Sequence, residues 1–151
     1  MDRQCESEAS MSMSAIKTYF RARCDALGRT EYKDPFNVPG IGSTNIAKAY
    51  HLQLGSSAQT NLNQSVLEVS FPVTVRLFFQ GFRYPADGVD SAITESETLI
   101  KSSLKASNRL AGTIKNVRFD SMEVGPFDET NDNTLISTLN FTASILLDVD
   151  T

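Results

Sequence analysis

The chain has 151 residues, 40% of them hydrophobic, and a formal net charge of −4, values typical of one globular domain with its own core. Its apolar runs are far shorter than the ~20 residues of a membrane-spanning helix, and its acidic balance disfavours tight binding of DNA or RNA, which requires clustered Lys and Arg. Its two cysteines, Cys5 and Cys24, are too few for a disulfide framework and are expected to be free thiols in a reducing cytoplasm.

The amino-terminal part divides into a leader and a first helix. Residues 1–13 are polar and lack the apolar core of a signal peptide, so we predict a disordered leader in front of a single domain over residues 14–151. A helix is predicted over residues 15–27, with Gly28 just after its end. Its apolar face consists of residues at helical spacing: Ile16, Phe20, Cys24 and Leu27.

An irregular segment over residues 28–49 follows this helix. Turn-forming pairs recur in it: Asp34-Pro35, Pro39-Gly40 and Gly42-Ser43. Apolar residues lie between these turns: Phe36, Val38, Ile41 and Ile46. Long loops in compact domains are often functional. The segment therefore either completes the core of its own chain or docks on a neighbouring molecule, and both interpretations stay open here.

Two alternating stretches predict neighbouring strands. Residues 50–54 and 66–79 each place apolar side chains on one parity, and the polar connection between them favours an antiparallel pair. In the longer strand the apolar face runs along the odd-numbered residues: Leu67, Val69, Phe71, Val73, Val75, Leu77 and Phe79. Pro72 lies on the opposite face and predicts an edge, a bulge or a bend, because it cannot donate to a strand ladder. His51 and Gln53 are expected to face solvent.

A turn segment at residues 81–88 leads to a second amphipathic helix, predicted from residue 89 or 90 to 107. Acidic residues dominate its first half and basic residues its second half, the order that the helix dipole favours. Its apolar stripe consists of Val89, Ile93, Ile100 and Leu104, continued by Ser96 and widened by Ala92, Leu99 and Ala106.

The carboxyl-terminal part predicts a strand, an acidic turn and a second long strand. In the strand over residues 114–126 the apolar parity changes at Asp120-Ser121, which predicts a β-bulge, and Gly125-Pro126 is expected to end the strand. Residues 128–133 form the acidic turn. Residues 134–149 alternate again, and their expected partners are the 114–126 strand and the 66–79 strand.

These elements predict an α+β fold. Each strand has one apolar face and both helices are amphipathic, so the simplest arrangement is an antiparallel or mixed β-sheet with two amphipathic helices packed on one face. The opposite face of the sheet is rich in Thr, Ser, Asn and Gln. It is left to solvent, to a partner or to a lumen.

No pattern in the sequence indicates catalysis, a metal or a cofactor. His51 is the single histidine, and a lone histidine without an oriented partner is far more often structural. The glycine-rich residues 39–43 lack the lysine of a P-loop. Asp128, Glu129 and Asp132 lack the spacing of an EF-hand loop and are better explained as a solvated hairpin tip. We therefore expect that the protein is not an enzyme.

The order of the elements and their residue patterns resemble those of a known family. An amphipathic helix comes first, then STNIAKAYHLQLG leading into LEVSFPVTVRLFFQGFRYP, an acidic-to-basic helix, and a closing hairpin with a long Thr-rich strand. Over residues 14–149 this resembles the tail terminator, or tail completion, proteins of long-tailed bacteriophages and related contractile or gene-transfer particles.

The resemblance implies a structural virion protein. Such proteins form a ring, expected to be a hexamer, on the end of the tail tube, where the ring ends polymerisation and provides the joint to the head or neck. The implied partners are other copies of the chain, the tail tube protein and the neck or head–tail connector proteins, with DNA passing only transiently through the lumen and no membrane. The implied location is the tail–neck junction of a virion assembled in the cytoplasm of a bacterial host.

Candidate contact surfaces follow from the residues themselves. They are the loop at residues 34–45, the turn at 82–87, the acidic tip at 128–133 and two arginines that could pair with acids of a neighbouring subunit. The candidate residues are Asp34, Phe36, Val38, Ile41, Asn45, Arg76, Arg83, Tyr84, Asp128, Glu129 and Asp132. The alternatives are another head–tail joining or head-completion protein of the neck and, from a different class, a small-ligand-binding α+β domain.

Overall fold

The computed structural model describes residues 2–32, 49–62, 65–80, 86–111, 114–128 and 131–148. In chain order the elements are α1 (Asp2–Asp25), β1 (Thr30–Glu31), β2 (Ala49–Leu54), β3 (Ala58–Asn61), β4 (Val66–Gln80), α2 (Ala86–Leu104), α3 (Ala106–Ala111), β5 (Asn116–Asp128) and β6 (Asn131–Asp148). The strands form one mixed six-stranded sheet in the order β1-β2-β4-β6-β5, with β3 also paired to β4. Only β1 and β2 are parallel. The predicted α+β fold is confirmed.

The centre of the sheet is the antiparallel pair of β4, with 15 residues, and β6, with 18 residues. Their pairing runs without interruption from Val66 opposite Asp148 to Gln80 opposite Thr134. The apolar parity predicted for both strands is confirmed by burial of one face: Val69, Phe71, Val73, Val75 and Leu77 in β4, and Leu135, Leu139, Phe141, Ala143 and Ile145 in β6. The face that these residues form carries the helices, because its apolar side chains require a cover.

Pro72 lies in the interior of the sheet, and the prediction of an edge at this residue is wrong. On the side of β4 opposite β6, the β2 pairing ends at Val73 and the β3 pairing begins at Ser70. The carbonyl of Pro72 accepts a 2.8 Å hydrogen bond from the N–H of Gly55 in the gap between these two strands. In an antiparallel strand the backbone N and the C=O of one residue point to the same side. The missing N–H of proline therefore faces a gap in the neighbouring strands.

The strand β3 was not predicted. Residues 56–64 are polar and carry no alternating apolar pattern, so the sequence indicates only a connection. In the structure Ala58–Asn61 nevertheless pair antiparallel with Leu67–Ser70. The long β4 extends past the end of β2, and its free backbone groups there are satisfied by the returning chain.

Helix α1 begins at Asp2 rather than near residue 15, so the backbone of the segment predicted as a disordered leader is helical. The segment contains neither Gly nor Pro, and eight of its 13 residues are Met, Glu, Ala, Gln or Arg, which favour helix. The predicted apolar face of its second half is confirmed, since Ile16, Phe20 and Cys24 are fully buried. Burial raises the pKa of the Cys24 thiol to about 12, and this cysteine is free.

The carboxyl end of α1 is closed by Gly28, as predicted. Gly28 has a φ of 78°, its N–H donates to the Asp25 carbonyl at 2.9 Å, and the N–H of Arg29 donates to the Cys24 carbonyl at 3.3 Å. This is the Schellman arrangement, in which a left-handed residue ends a helix and satisfies its last carbonyls. The turn sends the chain back along the sheet and places Arg29 beneath α2.

Helix α2 packs on the sheet through one side of the predicted apolar face. Among the described side chains of the helix, Ala92, Ser96 and Leu99 of that face are fully buried, as is Ser103, which was not predicted. Ile93, Ile100 and Leu104 of the same face are only half-buried. Ser96 Oγ lies 2.5 Å from Ser137 Oγ of β6 and donates at 2.7 Å to the Ala92 carbonyl. Small side chains allow a close approach of helix to sheet, and the hydroxyls of Ser96 and Ser137 satisfy each other.

The predicted single helix is divided in two, because α2 ends at Leu104 and the short α3 follows after Lys105. The side chain of Asn108 donates to the Ser102 carbonyl at 2.9 Å and that of Arg109 to the Leu104 carbonyl at 3.2 Å. These side chains cap the carbonyls at the end of α2, which a continuous helix would have satisfied with its own backbone.

The closing hairpin confirms the predicted bulge and extends the predicted strand. In β5 the register shifts between Phe119 and Ser121, which leaves Asp120 as the extra residue. The strand continues through Pro126 to Asp128, so the expected end at Gly125-Pro126 is wrong. β5 is the last strand of the sheet, so one of its sides has no neighbouring strand. Edge strands tolerate a proline, which cannot donate to a strand ladder.

A chain of aromatic rings connects the first helix to this hairpin. The Phe20 ring centroid lies 5.3 Å from that of Tyr19 and 5.2 Å from that of Phe141, and Phe141 lies 5.6 Å from Phe119. Tilted and edge-on ring pairs at such distances add to the stability that burial of their area already provides. The core therefore extends from α1 across β6 to the edge strand β5.

Candidate functional site

The face of the sheet opposite the helices is the candidate interaction surface, and we call it the polar face. It is formed by alternate residues of three neighbouring strands together with side chains of β2. Its described members include Glu68, Ser70, Thr74 and Arg76 of β4, Thr138, Asn140, Thr142 and Ser144 of β6, Arg118, Asp120, Ser121 and Glu123 of β5, and His51 and Gln53 of β2.

Neutral side chains on the polar face are hydrogen-bonded to one another across the strands. Thr74 Oγ1 donates to Asn140 Oδ1 at 3.0 Å, and Asn140 Nδ2 donates to Ser121 Oγ at 3.0 Å. Ser70 Oγ donates to Ser144 Oγ at 3.3 Å. Asn140 thus connects β4 to β5 through β6. A face whose side chains already hold each other in place loses little conformational entropy on contact with a partner.

Two ion pairs lie on the same face. Arg118 Nε donates to Asp120 Oδ1 at 2.7 Å, and Thr142 Oγ1 donates to Asp120 Oδ2 at 2.7 Å. Burial alone would raise the pKa of the Asp120 carboxyl, but the hydrogen bonds from Thr142 and Arg118 and the Arg118 charge hold it below its ordinary value. Lys115 forms the second pair with Glu68 of β4. The bulge that the sequence predicts at Asp120 therefore aims a carboxylate at Arg118 and Thr142.

Among the candidate contact residues whose side chains the structure describes, Arg76 lies on the polar face. Its Nη1 donates to Gln53 Oε1 at 3.1 Å and lies 3.3 Å from His51 Nδ1. A guanidinium has only donors, so His51 Nδ1 accepts and the ring proton resides on Nε2. His51 is on the predicted face, but the expectation that it is exposed is wrong, because it is only 6% exposed.

A buried arginine that sequence reasoning missed holds the other side of the fold together. The Arg29 side chain is 2% exposed and forms a two-bond ion pair with Glu95 of α2, with Nε–Oε1 at 2.5 Å and Nη2–Oε2 at 2.9 Å. Its Nη1 donates to the carbonyls of Ala49 and Phe78 at 2.7 and 2.8 Å. The guanidinium also lies 4.5 Å from the Phe79 ring centroid. One side chain therefore joins α2 to β2 and β4.

Arg21 forms its ion pair with a residue outside its own helix. The sequence spacing of Arg21 and Asp25 favours an i,i+4 pair on the helix, but Arg21 Nε donates to Glu31 Oε2 at 2.9 Å. Glu31 on β1 is only 17% exposed, whereas Asp25 is exposed. Because water screens the Glu31 carboxylate less, its electrostatic attraction to a cation is stronger. The pairs of Arg21 and Arg29 join residues distant in sequence, and helical spacing cannot reveal them.

The structure describes only some of the predicted contact residues. Asp128 is the last residue of β5 and Asp132 belongs to β6, and Asp128 pairs with Asn131. The predicted turn over residues 128–133 is therefore wrong in its bounds, because both strands continue into it. The other candidates lie outside the described residues: Asp34, Phe36, Val38, Ile41, Asn45, Arg83, Tyr84 and Glu129.

A depression of about 150 Å³ lies at the outer edge of β2. It is lined by Lys17, Arg21, Glu31, Tyr32, His51 and Leu52. This volume is below the ~300–1,000 Å³ of typical small-molecule pockets. Among the described residues, no group of three or more His, Cys, Asp or Glu side chains could hold a metal ion. Within the same part of the chain, no helix is both long and apolar enough to span a membrane.

No protein-family model matches the chain, and no curated protein matches it at a significant level.

Proposed function

We propose that the chain is a structural virion protein that forms a ring, with six copies as the expected number, on the end of a phage tail tube. The ring ends polymerisation of the tube and provides the joint to the head or neck. Its partners are other copies of the chain, the tail tube protein and the connector proteins of the neck. Its place is the tail–neck junction of a virion assembled in the cytoplasm of a bacterial host.

The observation that carries this proposal is the ordered polar face on a sheet of long strands. Its side chains are hydrogen-bonded across β4, β6 and β5, and Thr74, Asn140 and Ser121 keep part of their surface exposed. Hydrogen bonds between solvated side chains add about 1 kcal/mol each to stability, so the fold alone does not require such an arrangement. A preformed polar surface is suited to repeated contact between identical subunits.

The edges of the sheet support the same proposal. β5 has 13 residues and is the last strand of the sheet, with no further strand beside it in the described part of the chain. An edge strand of this length is normally covered or paired, because its free N–H and C=O groups otherwise attract other chains. Assembly into a ring brings a neighbouring subunit to each edge of every copy.

The charges on the polar face are compatible with transient passage of DNA through a ring. Lys115 and Arg118 are each neutralised by a carboxylate of the same face. Strong binding of a phosphate backbone requires several uncompensated cations. These paired cations therefore do not hold a phosphate backbone that passes through the ring.

The test is incubation of the purified full-length chain with terminator-free tail tubes and, separately, with DNA-filled heads, followed by negative-stain microscopy. The proposal predicts a ring at one end of each tube and tubes that stop growing when tube protein is added. Binding to heads alone would instead identify a head-completion or other head–tail joining protein. Binding to neither would overturn the proposal.

A further inference from the structure

The depression at the outer edge of β2 has more hydrogen-bond donors than acceptors in its wall. Its polar lining residues include Lys17 and Arg21 of α1, Tyr32 just after β1, and His51 of β2. Lys and Arg side chains carry donors only, and a Tyr hydroxyl and a neutral His ring each have one proton to donate. Glu31 is the one acid among the described residues of the lining, and it is paired with Arg21.

Lys17 gives this wall a positive charge that no acid balances. None of the ion pairs formed among the described residues includes Lys17. Lys17 and Arg21 are four residues apart on α1 and therefore lie on one face of the helix, where like charges at this spacing repel. Since Glu31 balances only one of the two cations, the lining keeps an excess positive charge that an anion would neutralise.

The two cations are within reach of a dissolved ion. The Arg21 side chain is 41% exposed, and Lys17 is half-buried. Arg21 donates to Glu31 through Nε, which uses one of the five N–H donors of a guanidinium. The remaining donors can bind a second anion beside Glu31.

We propose that this depression binds a small oxyanion, held by Lys17 and Arg21 and bordered by Tyr32 and His51. Arginine and lysine are the side chains that bind phosphate and carboxylate groups. A volume of about 150 Å³ is too small for most organic ligands. It is several times the roughly 30 Å³ share of one water molecule, so a single phosphate or a small carboxylate fits.

The proposed ion would connect three elements of the fold. Lys17 and Arg21 belong to α1, Tyr32 follows β1, and His51 belongs to β2. A ligand that binds the folded chain and not the unfolded chain stabilises the fold in proportion to the logarithm of its concentration. The inference goes beyond the proposed function, because the site is complete within one copy of the chain.

The experiment uses His51 as a built-in reporter. It is the single histidine of the chain, so its ring gives one set of signals in nuclear magnetic resonance spectra of the full-length protein. Sodium phosphate is added at constant pH and ionic strength, with sodium acetate in a second series and sodium chloride as the reference. Phosphate or acetate should shift the His51 signal to a saturating value and raise the melting temperature, whereas chloride should only screen charges.

Three variants test whether the ion binds in this depression. Lys17→Met removes one cation and should weaken binding about tenfold, whereas Lys17→Arg keeps the charge and should retain most of the affinity. Lys101→Met removes the same charge from an exposed position of α2 outside the lining and should leave binding unchanged. Circular dichroism verifies that each variant is folded.

The outcomes decide the proposal and identify the class of ion. A saturable shift that Lys17→Met weakens and Lys101→Met does not would support it, and the series that saturates at the lower concentration would distinguish phosphate from carboxylate. The proposal would be overturned if neither anion acted differently from chloride on the wild-type protein. Equal binding by the Lys17→Met and Lys101→Met variants would also overturn it, because the ion would then bind elsewhere.

Discussion

The two faces of the central sheet are built by different interactions. On the helix-covered face, side chains such as Val75 and Phe141 are removed from water, and any residue of similar volume and polarity would serve. On the polar face, Thr74, Asn140 and Ser121 form specific hydrogen bonds whose partners depend on register. The first face determines that the chain folds, whereas the second determines what the folded chain presents to a partner.

The largest expected difference between the faces comes from introducing a carboxylate on each. Val75 is 0% exposed, and Val75→Asp would bury an unpaired charge, so we expect no soluble folded protein. Thr74→Asp places the same group one residue away on the polar face and should cost less than about 2 kcal/mol. Soluble expression and circular dichroism compare the two variants. A fully folded Val75→Asp protein would mean that the assignment of faces is wrong.

Arg29 tests whether a buried ion pair beneath the helices is as important as the apolar contacts. Arg29→Met removes the guanidinium and leaves Glu95 and two strand carbonyls without their donor, so urea unfolding should show a loss of about 3 kcal/mol. Arg21→Met breaks the more exposed pair with Glu31 and should cost at most about 1 kcal/mol. Equal losses in the two variants would contradict the central role of Arg29.

A substitution at Gly55 tests how closely the chain between β2 and β3 must approach Pro72. A Cβ at Gly55 would lie 2.6 Å from Cγ of Pro72, so Gly55→Ala should destabilise the protein by about 2 kcal/mol in thermal or urea unfolding. Gly125 has no atom within 4 Å of the same position, and Gly125→Ala should be neutral. A neutral Gly55→Ala variant would show that the strands can separate at Pro72 without loss.

Asn140 tests how much the polar network contributes to the stability of a single copy. Asn140→Ala removes the hydrogen bonds to Thr74 and Ser121 and should cost about 1 kcal/mol, because water replaces both partners. Thr138→Ala, on the same strand and face, is the control and should cost a few tenths of a kcal/mol. A loss above about 3 kcal/mol for Asn140→Ala would mean that the polar face is needed for folding itself.

The parts of the fold that depend on local patterns were predicted from the sequence. Alternation along β4 and β6 identified the buried face, the parity change identified the bulge at Asp120, and Gly28 was expected at the end of α1. Each of these signals lies within a few residues of the feature it predicts, since strand and helix periodicities are local.

The contacts that depend on distant residues could not be predicted in this way. Arg29 and Glu95 are 66 residues apart and no spacing rule connects them. The short strand β3 has no apolar pattern because it adds only backbone pairing to β4. The burial of His51 follows from neighbours such as Arg76 rather than from its own strand. The contacts of Arg76, one of the candidate contact residues, could not be predicted, because its partners His51 and Gln53 lie on another strand.

The most direct test of the account is a cryo-electron microscopy map of the ring assembled on a tail tube. The account predicts identical copies in a closed ring around an opening, with the polar face of each copy against its neighbour. A map in which each polar face contacts no other copy, or in which the chain is present as a single isolated subunit, would contradict it.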